Sequence, residues 1–139
     1  SSQLWHRDRD DIHILKVFVY LSDVNDGAGP LTYARGTHRN GKLNIAPESF
    51  IEGGVARSTD QQMNKVLPAE RCERATGRKG TIVFADTRGY HKGGLARTED
   101  RLLFTSMFTS PSAEIVNLMT RTSEDPEPNS KQMRWLLPD

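Results

Sequence analysis

Apolar and polar residues alternate along residues 12–21, where Ile14, Leu15, Val17, Phe18, Val19, Tyr20 and Leu21 surround His13 and Lys16. A period of two in a run rich in β-branched and aromatic residues predicts a strand. Leu15, Val17, Val19 and Leu21 then face one way, and Lys16, Phe18 and Tyr20 the other. Asn25-Asp26-Gly27-Ala28-Gly29-Pro30 marks a turn, Leu31 to Ala34 a short strand, and Gly36-Thr37-His38-Arg39-Asn40-Gly41 another turn. Gly80 to Ala85 reads as a strand behind a glycine turn, and Arg101 to Thr109 as the last strong strand. Residues 42–79 lack a clear period. They read as an insertion between strands, with one short helix over Ser58 to Lys65 capped by Ser58 or Thr59. Many short strands, turn-rich connections and little helix predict a mainly all-β barrel or sandwich.

Beyond Pro111 the pattern stops. Ser123 to Ser130 has the composition of a polar linker, and Trp135-Leu136-Leu137 is a group that could dock back on the body. The expected organisation is therefore a core over residues 1–110 and a polar extension over 111–139. The first residue is not Met, and chemistry-bearing residues begin at position 6, so we expect an N-terminal portion of the domain to be missing from this sequence.

Composition narrows the partners. A net charge of +1 gives no electrostatic reason to expect nucleic acid or an anionic membrane. The longest apolar run is too short for a bilayer span. Cys72 is the single cysteine, so no disulfide forms within the sequence, which suits a reducing, cytoplasmic setting.

Two histidines and an aspartate stand out. His6 and Asp8 lie two residues apart in Trp5-His6-Arg7-Asp8, a step that puts both side chains on one side of an extended backbone. His91 follows the predicted strand Thr81 to Ala85 and precedes Gly93-Gly94, which permit close backbone approach. Two imidazoles and one carboxylate are the ligand set that holds non-heme Fe(II) on one face and leaves three positions open. Each also has a bland reading as a loop residue. His38, in a turn, is the competing histidine, and Asp10, Asp11 and His13 compete near the pair.

These residues and their surroundings resemble the phytanoyl-CoA dioxygenase-like family of Fe(II)/2-oxoglutarate-dependent oxygenases. The likeness runs over roughly residues 3–110. Gln3 to Asp8 is similar to the metal loop, and Leu15 to Val24 to the strand after it. Gly29 to Arg39 is similar to the Gly-rich turn, strand and Gly-Ser-His segment, with Thr37 for Ser. Gly80 to Thr87, leading to His91, is similar to the strand carrying the distal ligand. The resemblance implies a double-stranded β-helix, or jelly-roll, of cupin type with a short helical insertion. It implies His6, Asp8 and His91 as metal and catalytic residues, Fe(II) as cofactor and 2-oxoglutarate as co-substrate. Molecular oxygen would be consumed in hydroxylating an unactivated C–H bond of a small organic substrate. A carboxylate at position 8 argues for hydroxylation, since related halogenases have a small residue there.

Arg101 supplies the remaining part. The far carboxylate of 2-oxoglutarate needs a fixed cation, and the planar guanidinium fork pairs both oxygens. The ten-residue step from His91 to Arg101 matches the family pattern. Arg97 competes but reads as a solvated loop charge. Thr109 or Ser110 could add a hydroxyl to the same carboxylate, and Lys16 points either into the pocket or to a solvent-facing strand edge. Two other functions remain open: a non-catalytic β-barrel binding module, and a metal-dependent hydrolase on a similar barrel. The substrate is not written in any pattern of residues 42–79.

Overall fold

The computed structural model describes residues 2–113. The chain is mainly β, with antiparallel sheets. In chain order the elements are β1 (Ile14–Tyr20), β2 (Leu31–Ala34), β3 (Phe50–Glu52), β4 (Val55–Arg57), α1 (Asp60–Asn64), β5 (Cys72–Ala75), β6 (Ile82–Ala85), β7 (His91–Lys92) and β8 (Leu103–Thr109). One sheet has the order β6-β1-β8, a second β5-β2-β7, and β3-β4 is a hairpin. Among the described residues no sheet closes into a barrel. No helix there is long and apolar enough to cross a membrane.

The strands form where alternation is strongest. β1 is the centre of its sheet, with Lys16 opposite Ala85 on one side and Met107 on the other. Its faces are occupied in an unexpected sense. The side chains of Lys16, Phe18 and Tyr20 look inward, and Tyr20 is buried with Val24 and Ala28 in a small core that Phe18, Val83 and Leu103 extend. Leu15 and Leu21, from the other set, are exposed.

Residues 42–79 are more than an insertion. β5 pairs with β2 over Leu31–Ala75 to Ala34–Cys72 and is an integral strand of the second sheet. Its residues, Cys-Glu-Arg-Ala, carry no apolar alternation, so only pairing with β2 makes them a strand. The short helix does form, as α1, with Thr59 as its cap. The Thr59 side chain accepts from the Gln62 amide, and the Gln62 side chain accepts from the Thr59 amide. Met63 and Leu67 from this region join Trp5 and Ala34 in the second core cluster. The predicted linker at 123–130, the Trp135-Leu136-Leu137 group and most of the 111–139 extension lie outside the described residues.

Candidate metal centre

The segment before β1 lies antiparallel to the segment carrying β7. His6 and His91 exchange both backbone hydrogen bonds, each 3.0 Å long, and the Asp8 amide donates to the Thr87 carbonyl at 2.9 Å. Directly opposed residues in an antiparallel pair point to the same face. Asp8, two residues beyond His6, joins them. Trp5 secures the register from behind: it exchanges backbone bonds with Ser58, and its indole N–H donates to Asp60 at the start of α1, at 2.7 Å.

The three side chains converge. Asp8 Oδ1 is 3.8 Å from His6 Nε2 and 3.8 Å from His91 Nε2. One ligand atom from each residue lies within 4.8 Å of the others, so the group could hold a metal ion. Ligands about 2 Å from a common ion sit roughly 3 Å apart. Binding would therefore draw Asp8 toward each imidazole by about an ångström, and the group as a whole by no more than about two. The donor set suits an ion in a second respect. His6 Nδ1 lies 2.7 Å from the Leu4 carbonyl and His91 Nδ1 3.0 Å from the Gly89 carbonyl. Carbonyls only accept, so each Nδ1 carries the proton, and each Nε2 lone pair is free toward the centre.

Electrostatics favour the ligating protonation states. Burial pushes the His91 pKa down to about 4, and the backbone bond to Gly89 only partly opposes this. Burial also lowers His6, with Arg57 adding to the effect. Burial by itself would raise Asp8. The Lys16 ammonium, 2.7 Å from Asp8 Oδ2, and the neighbouring Thr87 hydroxyl outweigh it and hold the carboxyl below its usual range. Both imidazoles are thus neutral and the carboxylate ionised at neutral pH.

A cavity of about 230 Å³ adjoins the triad. His6, His91, Lys16, Tyr20, Arg101 and Thr105 are among the residues on its wall. Arg101 precedes β8 and donates through Nη1 to the Gly29 carbonyl. Gly29 has a φ of +71°, and a Cβ there would lie 2.6 Å from the Leu95 carbonyl carbon, so this crossing of two loops needs glycine. Two other hollows, of about 560 and 680 Å³, contain none of the three triad residues.

Of the residues singled out from sequence, His6, Asp8, His91 and Arg101 therefore line one region. His38 lines the 560 Å³ groove and is not part of the triad. Arg97 is exposed. Thr109 pairs with Ile14 at the opposite end of β8 from Arg101, and the Ser110 amide donates to Asp11, so neither hydroxyl lines the cavity. Thr105 takes that place. Lys16 faces the pocket, and its pairing with Asp8 was not legible from sequence. Arg57 was also missed; it lies in the unpatterned stretch and nothing local marks it. No protein-family model matches the chain, and no curated protein matches it.

Proposed function

We propose that the protein is an Fe(II)- and 2-oxoglutarate-dependent dioxygenase that hydroxylates a small organic substrate. One observation carries this reading: two neutral imidazoles and one carboxylate converge beside a cavity that also holds Arg101. That donor set leaves half of an octahedron open and suits non-heme Fe(II). When bound, the metal would supply oxygen activation coupled to decarboxylation of the 2-oxo acid.

The chain's own residues do the positioning. His6 and His91 present Nε2, and Asp8 presents Oδ1. Lys16 neutralises and holds Oδ2. Arg101 is placed to pair the far carboxylate of the co-substrate, with Lys16 adding positive charge to the same wall. The cavity is smaller than the usual 300–1,000 Å³ of a drug-sized ligand site, in keeping with a small diacid. Repeated passage of the chain between the two three-stranded sheets is what a double-stranded β-helix requires, and we read the fold as part of one. The exposed lone cysteine fits a reducing compartment such as the cytoplasm.

The test is anaerobic addition of Fe(II) and 2-oxoglutarate. The oxygenase gives a visible charge-transfer band that His6→Ala abolishes and Arg101→Ala weakens. A zinc hydrolase binds metal without the band, and a non-catalytic module binds neither component; either result overturns the reading.

A further inference from the structure

A second hollow, of about 490 Å³, meets the Arg101 cavity at His6 and has Asp8 on its wall. Its volume lies within the range of small-molecule sites. Three arginines line it, Arg7, Arg9 and Arg57, against Asp8 and Asp10. Two of the three are held by backbone carbonyls. Arg7 donates to the Thr37 carbonyl at 2.9 Å and lies 4.1 Å over the Tyr90 ring. Arg9 donates to the Gly54 carbonyl and so ties down the β3-β4 turn.

Arg57 differs. Its side chain is only 14% exposed, and among the described residues its buried Nη1 has no hydrogen-bond partner. Its Nε is ion-paired with a Glu52 carboxylate oxygen at 3.1 Å, which leaves Nη1 as the unmatched donor. A buried guanidinium donor left unmatched is unfavourable until an acceptor reaches it. The position of Arg57 is also well determined. Its neighbour Ser58 exchanges backbone bonds with Trp5, the residue before His6, so the same register sets both. The rim at Gly53 and Gly54 is open: a Cβ at either would meet nothing within 4 Å.

We propose that this cleft is the substrate side of the metal centre, and that the substrate is an organic carboxylate whose charged end is held by Arg57. The co-substrate occupies the Arg101 side, and the two approach the metal through separate openings. The proposal rests on the metal reading above and adds the chemical class of the substrate.

The test uses the full chain with Mn(II), saturating 2-oxoglutarate and no oxygen. The probes are benzoate and hexanoate, compared with benzamide and hexanamide, and the signal is paramagnetic broadening of their proton lines. A charge-assisted bond to Arg57 predicts that the acids bind on the order of tenfold more tightly than the amides. Arg57→Gln should remove that advantage while Mn(II) stays bound, and Arg57→Lys should keep part of it. Bound Mn(II) with acids and amides behaving alike, or an acid preference that survives Arg57→Gln, overturns the proposal and leaves the metal reading standing. Mn(II) that remains free, read separately from water-proton relaxation, sinks both.

Discussion

The two faces of the β6-β1-β8 sheet make opposite use of similar residues. The inner face carries Lys16, Phe18, Tyr20 and Thr105 toward the metal centre. The outer face carries Leu15, Ile82, Phe84, Phe104 and Phe108, all of them more than 40% exposed. Cross-strand pairs bring these together, Leu15 with Phe108 and Val19 with both Ile82 and Phe104. The more apolar face is thus the more open one among the described residues. In a half-buried sheet the apolar side normally marks the core. Here Lys16 of the inner face is matched to Asp8 of the site and the Tyr20 hydroxyl donates to the Ala75 carbonyl, while a contiguous apolar face of this kind is a feature of interaction surfaces.

The contrast is sharpest if ligands are removed. His91→Ala should weaken Co(II) binding by roughly a thousandfold, about 4 kcal/mol, as befits one ligand of a small set. Phe84→Thr on the outer face should leave it unchanged, and competition with a chelator measures both. Equal losses would mean that the two faces are not functionally separate.

Acid should act on the inner face next. His91 is neutral in the folded protein, with a pKa of about 4 against 6.5 for a free imidazole. The unfolded chain therefore binds more protons between those values, and the metal-free protein should lose stability as pH falls from about 6.5 toward 4. On the order of 3 kcal/mol is at stake. Urea unfolding across that window should show the slope, and His91→Gln should flatten it.

Lys16 ranks third. Lys16→Met removes the partner of Asp8 Oδ2 and should reduce metal affinity about 10- to 100-fold, with Lys16→Arg retaining part. The same titration reports it, and an unaffected affinity would reduce Lys16 to a bystander. The smallest effect belongs to the outer face itself. Phe84→Thr should change unfolding free energy by about 0.5 kcal/mol or less, because the ring is already in solvent.

Much of the site could be read in one dimension because its ligands come from patterns that are local. His6 and Asp8 share a face through the two-residue step of an extended chain, and His91 follows a strand with a strong apolar signature. The helix start was likewise visible as a cap at Ser58 or Thr59, and the structure selects Thr59, whose capping box with Gln62 closes within four residues. β5 was invisible for the converse reason. Its four residues have no period of their own, and partners on β2 some forty positions away supply their hydrogen bonds.

By itself, the sequence determined the extended stretches with an apolar signature of their own, where turns interrupt them, and which side chains offer a lone pair or a charge. Those properties depend on residues within a few positions of one another. Only the tertiary structure decided which face of β1 looks inward, that Lys16 meets Asp8, and that Arg57 stands beside His6 with a donor to spare. A period of two is symmetric between the faces of a sheet. The choice between them is made by long-range strand pairing, whose register no local pattern encodes.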